Sequence, residues 1–339
     1  MAWQRGIGDI ANMSMADPTF YVAPFQAKGL KHRERMLSPD ELKKLRPNLY
    51  ALTNVDEFND PEVVPHCKAV LRDLDGLTDQ EISQSVFYVF FRHDEECVTP
   101  LRRIIRCGGL FVPPKLAAKA PYWQTTGGIS VSLRETSAII GELHAGNAVH
   151  ENICQAIEMT RHLEGDYVEI GVFTGSSACT ALRFMHHRGI DRKCWFLDTY
   201  EGFAYDSAGS SADIMWHGTH LTSIPVAEHM QNLDIKLSMA GSNYRMVKNN
   251  IHDDPFPEEI KKIAVANLDV DMYEAILVGL HKIAPLIVLH GIIICEDATS
   301  TPALYGAYVA MEDFLLSDMG KKFIKIFVHG QYFLIKVLE

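Results

Sequence analysis

The second half of the chain alternates apolar strand patterns with amphipathic helix patterns, and this alternation limits the possible fold more than any other feature. Helices are predicted at 150–165, 174–189, 272–284 and 303–317. Strands are predicted at DYVEIGV (166–172), KCWFLDTY (193–200), DIKLSMAGS (234–242), IAVANLD (263–269) and GIIICED (291–297). Strands that alternate with helices form a parallel sheet with helices on both faces. The pattern therefore predicts an α/β fold.

The chain ends in two further strand patterns, FIKIFV (323–328) and YFLIKVL (332–338), which only the residues HGQ separate. So short a connection predicts a hairpin, which adds an antiparallel strand to the parallel sheet. A doubly wound sheet that closes in this way resembles the seven-stranded, Rossmann-like sheet of class I methyltransferases. We assign residues 131–339 to this domain.

Residues 1–130 are predicted to form a separate, mainly helical region that serves substrate, lid or oligomer contacts. Ser38 and Glu41, and again Thr78 and Glu81, have the spacing of capping boxes at helix starts. The second predicted helix, ISQSVFYVFFRH (82–93), is rich in aromatic residues and lacks a full polar face. This surface predicts a homodimer or a higher homo-oligomer.

Charge and cysteine content exclude several classes of protein. The 339 residues carry a net charge of −11, which argues against a nucleic-acid partner, and the short basic stretch KGLKHRERM (28–36) is interpreted as a solvated face. The seven cysteines form no C-x-x-C pair, so neither a disulfide scaffold nor a zinc site is expected. Without a signal-peptide pattern or an apolar run of membrane-spanning length, a cytoplasmic location with no membrane partner is expected.

Two buried strand patterns end in pairs of acids. Like charges side by side at such a position are energetically unfavourable unless a cation neutralises them. Glu296 and Asp297 follow one strand, and Asp269 and Asp271 follow its predicted neighbour. Asp271 has the spacing of a capping box with Glu274, whereas the other three acids predict a site for Mg²⁺ or another hard divalent cation. The alternative is that Glu296 or Asp297 only caps a helix near Thr301-Pro302.

The ends of the other strands carry residues suited to a small ligand. The turn after the first strand contains Glu169, Gly171, Gly175 and Ser176, while Phe173 occupies the place of the middle glycine in a dinucleotide fingerprint. A carboxylate with two spaced glycines suits a ligand with an amino-acid tail, although such glycines also occur in ordinary turns. Asp198 ends the second strand, where an acid can bind ribose hydroxyls or cap a turn. Gly241-Ser242 ends the predicted third strand and suits an adenine edge.

The segments EIGVFTGSS, LDTYEGF, IAVANLDVDMYEAI and GIIICED resemble, in order and spacing, the macrocin O-methyltransferase (TylF/MycF-like) family over about residues 150–339. The resemblance implies an enzyme that uses S-adenosylmethionine and Mg²⁺ to methylate a small-molecule hydroxyl, namely a sugar hydroxyl of a natural product. It makes Asp269, Glu296 and Asp297 metal ligands, with Asp269 also the candidate catalytic base. It makes Glu169, Gly171, Gly175, Ser176, Asp198 and Ser242 cofactor-binding residues.

The sequence departs from this family where Val270 replaces a usual glycine and Glu296 a usual aspartate. Three alternatives stay open: a catechol-type O-methyltransferase, a nicotinamide-dependent dehydrogenase, and a non-catalytic binding protein with the same fold. The missing middle glycine argues against the dehydrogenase, and the acids at the strand ends argue against a protein without catalysis. The polar segment 204–231 is expected to fold over the site, with His217 and His220 as surface residues.

Overall fold

The computed structural model describes residues 38–54, 61, 63–91, 94–112, 125–141, 143, 146–211, 213–300 and 305–339. The chain divides into two compact units, Met1–Gln124 and Thr125–Glu339. The basic stretch 28–36 and the residues Thr301-Pro302 lie outside the described part. Among the described residues, no helix combines the length and the apolar character needed to cross a membrane.

The described part of the N-terminal unit combines helices with a parallel sheet, which the prediction of a mainly helical region did not include. Its strands pair in the order β2-β1-β3-β4. In chain order its described helices and strands are α1 (Pro39–Leu45), β1 (Asn48–Thr53), β2 (Val70–Leu71), α2 (Asp79–Ser83), β3 (Ser85–Phe90), α3 (Asp94–Arg106) and β4 (Leu110–Val112). The two capping boxes are confirmed, because Ser38 and Thr78 each exchange hydrogen bonds with the glutamate three residues later.

The aromatic segment predicted as a helix is the strand β3. Helix α2 ends at Ser83, and β3 then pairs with β1 on one side and β4 on the other. Every side chain from Val86 to Val89 is buried, as in a parallel strand that is covered on both faces. Such a continuous apolar run cannot be distinguished from a buried helix by periodicity alone. The homo-oligomer stays a prediction, but the exposed aromatic helix that supported it does not exist.

The C-terminal unit is built on a seven-stranded sheet, which confirms the predicted fold class. Its strands pair in the order β10-β11-β9-β8-β5-β6-β7, and β11 runs antiparallel to both of its neighbours, β10 and β9. The strands are β5 (Asp166–Ile170), β6 (Cys194–Asp198), β7 (Tyr244–Lys248), β8 (Ile263–Leu268), β9 (Ile287–Cys295), β10 (Phe323–Val328) and β11 (Gln331–Lys336).

Helices cover both faces of this sheet, as expected for strands with such apolar sequences. They are α4 (Thr125–Ile140), α5 (Asn147–Met159), α6 (Ser176–Arg188), α7 (Val226–Ala240), α8 (Tyr273–Ile283), α9 (Asp297–Ser300) and α10 (Tyr305–Leu316). Ile153 of α5 and Phe184 of α6 belong to one buried cluster, and Ile276 of α8 and Phe314 of α10 belong to another. Because the chain runs outward from β5 through β6 to β7 and returns at β8, a crevice is expected between the carboxyl ends of β5 and β8.

The third predicted strand, DIKLSMAGS, is wrong. Residues 234–240 form the end of helix α7, in which Leu233, Leu237 and Ala240 are buried at helical spacing. The strand follows as β7, which pairs with β6. The short apolar pattern of residues 234–242 is compatible with either structure, and here the helical face that packs against the sheet decides between them.

Candidate active site

A cavity of about 630 Å³ lies at the carboxyl ends of the sheet strands in the C-terminal unit. Its wall includes Gly171 after β5, Asp198 at the end of β6, Asn249 after β7 and Asp269 after β8. The size falls within the range of small-molecule sites. This position is the one expected for a ligand of an open α/β sheet.

Three aspartates meet in this cavity. Asp269, Asp271 and Asp297 each offer one carboxylate oxygen, and these oxygens all lie within 4.8 Å of one another. Asp271 was predicted as a helix cap. The N-cap residue of α8 is instead Met272, whose side chain makes no capping hydrogen bond. Asp271 is therefore a member of the acidic cluster. Glu296, predicted as a ligand, lines the same cavity but is not one of the three.

The turn between β8 and α8 contains Asp269 and Asp271 and holds their carboxylates near that of Asp297. The Asp269 N–H donates to the carbonyl of Ile170 at 2.9 Å, which holds the turn against β5. The Asp271 N–H donates to Asp297 Oδ2 at 2.8 Å. Asp271 has a φ of 60°, a left-handed conformation that is uncommon for residues other than glycine. The surrounding bonds thus maintain a backbone that this sequence would not prefer by itself.

The acidic cluster faces no lysine or arginine within the described lining of the cavity. Burial, followed by the nearby carboxylates, raises the pKa of Asp269 and of Asp297 well above the ordinary value. Burial raises the pKa of Asp271 to about 6. Clustered carboxylates in such surroundings are suited to a hard divalent cation, which takes oxygen ligands.

Glycine is required at two positions of the turn after β5 because neighbouring groups leave no room for a side chain. Gly171 has a φ of 88°, and a Cβ there would lie 1.6 Å from the carbonyl oxygen of Asp269. Gly175 has a φ of 79°, and a Cβ there would lie 2.3 Å from Leu233 Cδ1. Both glycines therefore permit close packing within the protein, and Gly171 also lines the cavity.

Glu169 and Ser176 are not among the residues that line the cavity. Glu169 is fully buried and accepts hydrogen bonds from the hydroxyls of Tyr167 at 2.7 Å and Ser177 at 2.6 Å. Burial raises its pKa to about 7. Ser176 is also buried, with 3.3 Å between its Oγ and His150 Nε2. These residues fix the loop and the start of α6.

Asp198 lies in the cavity wall at the end of β6, as predicted, and its carboxylate organises the turn after β5. Its Oδ2 accepts the backbone N–H groups of Val172 at 2.6 Å and Phe173 at 2.9 Å. Its Oδ1 accepts the N–H of Tyr200 at 2.7 Å. The side chain thus joins the first two strand ends at the point where a ligand would contact both.

Ser242 does not lie where the sequence predicted it. Because β7 begins at Tyr244, Ser242 precedes the strand and lies at the opposite edge of the sheet from Asp198. The residue that follows β7 is Asn249, which is only 6% exposed and lines the cavity. Its Nδ2 donates to the carbonyl of Pro255 at 3.1 Å, while its Oδ1 has no hydrogen-bond partner within the described part of the chain. A correct prediction of YRMVK as a strand would have identified it.

The segment after β6 forms one wall of the cavity, in agreement with the predicted cover. Phe203, Tyr205, Trp216 and the stretch from His220 to Ile224 line the cavity. The His220 ring lies 5.3 Å from the Phe203 ring and 5.5 Å from the Phe173 ring, each edge to face. His217 is exposed and does not line the cavity. We call residues 203–224 the cavity cover.

Comparison with known proteins links this site to a family of methyltransferases. The sequence model of the macrocin O-methyltransferase (TylF) family matches residues 138–333. The structure is similar to that of the O-methyltransferase NovP, with a TM-score of 0.53 and 16% identity over 64% of this chain and 100% of NovP. CalS11, a calicheamicin methyltransferase, gives a TM-score of 0.44 and 15% identity over 61% of this chain and 91% of its own. The chain has no significant match among curated proteins.

Proposed function

Because the chain belongs to the macrocin O-methyltransferase (TylF) family, we propose that it moves a methyl group from S-adenosylmethionine to a sugar hydroxyl of a natural product, assisted by a divalent cation. The observation that carries the proposal is the acidic cluster of Asp269, Asp271 and Asp297, whose oxygens lie within 4.8 Å of one another in the cavity. A protein that merely kept the fold would gain nothing from clustered like charges, of which Asp297 is buried.

The cofactor would lie along the ends of β5, β6 and β7. Asp198 already orients the turn after β5 through two backbone N–H groups, so ribose hydroxyls near it would meet a fixed carboxylate. The unpartnered Oδ1 of Asn249 is an acceptor suited to an amino group, such as that of adenine. Gly171 lines the same wall. Glu169, Gly175 and Ser176 would act by shaping the turn.

The cation would bind Asp269, Asp271 and Asp297, and Glu296 would add negative charge to the same cavity. A bound divalent cation lowers the pKa of an acceptor hydroxyl and neutralises the carboxylates around it. Asp269, at the end of β8, is the candidate base that receives the hydroxyl proton as the methyl group is transferred. The cavity cover would limit the access of water to this exchange.

The glycosylated acceptor is inferred from the description of the family as macrocin O-methyltransferases. The aromatic residues of the cavity cover are compatible with such an acceptor. Phe203 and Trp216 line the cavity, and aromatic rings suit the apolar faces of sugars. The same rings would also accept a planar catechol, which is the alternative acceptor class. Assays of methyl transfer to macrolide glycosides and to catechols distinguish the two classes.

Metal removal tests the proposal. Methyl transfer should be lost in EDTA and return with Mg²⁺. Asp297→Asn should lower turnover at least about a hundredfold while S-adenosylmethionine affinity changes by less than about threefold, because the cation serves the acceptor. Asp318→Asn is the matched control, since Asp318 is fully exposed and pairs with Lys321 on the surface. Activity that persists in EDTA, or equal turnover in the two variants, would contradict a metal-dependent reaction.

A further inference from the structure

We propose that Asp213, in the cavity cover, is a positioning residue that caps helix α8 from outside and thereby fixes the turn from Asp269 to Met272. The inference rests on the proposed function, because that turn carries two of the three carboxylates assigned to the cation. Asp213 is not one of the three. It would act through the backbone that presents them.

The start of α8 depends on a residue about sixty positions away in sequence. Its N-cap residue, Met272, has no oxygen in its side chain and makes no side-chain cap. Asp213 Oδ2 instead accepts the N–H of Tyr273, the first residue of the helix, at 2.8 Å. A carboxylate at this end satisfies a free N–H and interacts favourably with the helix dipole. Asp213 therefore performs the role that a local cap usually has.

A second hydrogen bond joins the cavity cover to the same helical turn. The Ser211 hydroxyl donates to the Glu274 carboxylate and accepts the Asp213 N–H at 3.0 Å. Ser211 is only 8% exposed, so water competes little for these bonds. Ser211 and Asp213 thus hold the first turn of α8 at two successive residues.

Helix α10 leaves space for Asp213 only because residue 306 is glycine. A Cβ on Gly306 would lie 1.7 Å from Asp213 Oδ2 and 2.5 Å from its Cγ. Gly306 lies in the first turn of α10, and its φ is not in the left-handed region, so its own backbone does not require glycine. The need for glycine at this position is explained by the Asp213 carboxylate.

The same contact connects the acidic cluster with the cavity wall. The short 3₁₀ helix Ile214–Trp216 starts at Asp213, whose carbonyl accepts the Trp216 N–H at 3.0 Å. Trp216 lines the cavity. Loss of the cap would free the first turn of α8 and, with it, the left-handed Asp271. Displacements of this kind weaken sites that depend on fixed geometry.

Binding of Mn²⁺ to the full-length protein, measured by electron paramagnetic resonance, tests the inference. Asp213→Ala should weaken Mn²⁺ binding at least about tenfold. Asp213→Asn should stay within about threefold of the wild type, because the amide oxygen still accepts the Tyr273 N–H. Gly306→Ala should reproduce Asp213→Ala, because the added methyl group displaces the carboxylate. Should Asp213→Ala not fold, the comparison of the other two variants is sufficient.

Asp269→Asn distinguishes a failure of the metal site from a failure of the positioning role. Loss of Mn²⁺ binding in Asp269→Asn together with wild-type binding in Asp213→Ala would overturn the positioning role and leave the metal site intact. Wild-type binding in Asp269→Asn would overturn the metal site itself. Equal weakening in Asp213→Asn and Asp213→Ala would also overturn the inference, because it would show that the charge of Asp213 matters and the hydrogen bond does not.

Discussion

Replacement of Asp271 with asparagine is expected to stabilise the metal-free protein. Burial, with further contributions from Asp198 and Asp213, raises the pKa of Asp271 to about 6, so its ionised form is unfavourable in the folded state. Asparagine has nearly the same size and no charge, and it tolerates the left-handed backbone at φ 60°. The hydrogen bond from the backbone N–H of residue 271 to Asp297 Oδ2 does not depend on the side chain.

The size of the effect follows from the change in pKa on folding. A carboxyl group whose pKa rises from 3.8 to about 6 destabilises the native state by about 3 kcal/mol at neutral pH. The side chain keeps some contact with solvent, which reduces the expected gain for Asp271→Asn to about 1–2 kcal/mol. Since the folded pKa is the higher one, the gain should be absent below pH 3.8, grow up to about pH 6 and stay constant above it.

Thermal unfolding in EDTA at several pH values between 4 and 8 measures this gain, which corresponds to about 3–6 °C at pH 7.5 for a unit of this size. Asp318→Asn is again the control and should be neutral. Addition of Mg²⁺ should stabilise the wild type more than Asp271→Asn, because the variant lacks one of the three proposed ligands. The reasoning is refuted if Asp271→Asn is less stable than the wild type in EDTA, or if the difference is the same at pH 4 and pH 7.5.

Three further substitutions test other parts of the site. Gly171→Ala should lower the free energy of unfolding by more than about 3 kcal/mol because of the clash with the Asp269 carbonyl oxygen, whereas Gly189→Ala, also at positive φ but with open space around it, should cost only about 1 kcal/mol. Asp198→Ala should weaken S-adenosylmethionine binding at least about tenfold in calorimetry; unchanged affinity would remove it from the site. Glu169→Gln should stabilise the protein at pH 8 and not at pH 4.5, because burial raises the pKa of Glu169 to about 7; a pH-independent effect would contradict this.

The parts of the fold that the sequence predicted correctly are those with a clear period and a clear end. The strand pattern of residues 263–269 and the terminal hairpin are confirmed. The errors occurred in short apolar segments such as 85–90 and 234–242, in which tertiary packing decides between helix and strand. Because of the second error, the adenine contact was predicted at Ser242, and Asn249 was not identified.

In the site, too, residues placed by the local sequence could be predicted, and residues placed by contacts distant in sequence could not. Asp198 and Asp269 could be predicted because each follows an apolar strand in sequence. Asp271 could not, since its spacing to Glu274 fits a capping box. What brings Asp271 into the acidic cluster is a hydrogen bond to Asp297, and what caps α8 is Asp213. Neither partner is close enough in sequence to give a local pattern.

The acidic cluster and the distant cap imply that stability and activity are opposed in this site. Asp213 holds the turn from Asp269 to Met272 in place, yet its own charge contributes to the raised pKa of Asp271. A neutral cap would relieve that repulsion. The charged cap therefore keeps the carboxylates close together and lowers the stability of the metal-free protein. Only a bound cation would reverse the balance, because it converts the repulsion among Asp269, Asp271 and Asp297 into shared attraction. Neutral substitutions of Asp269, Asp271 or Asp297 that stabilise the protein in EDTA are therefore expected to lower turnover.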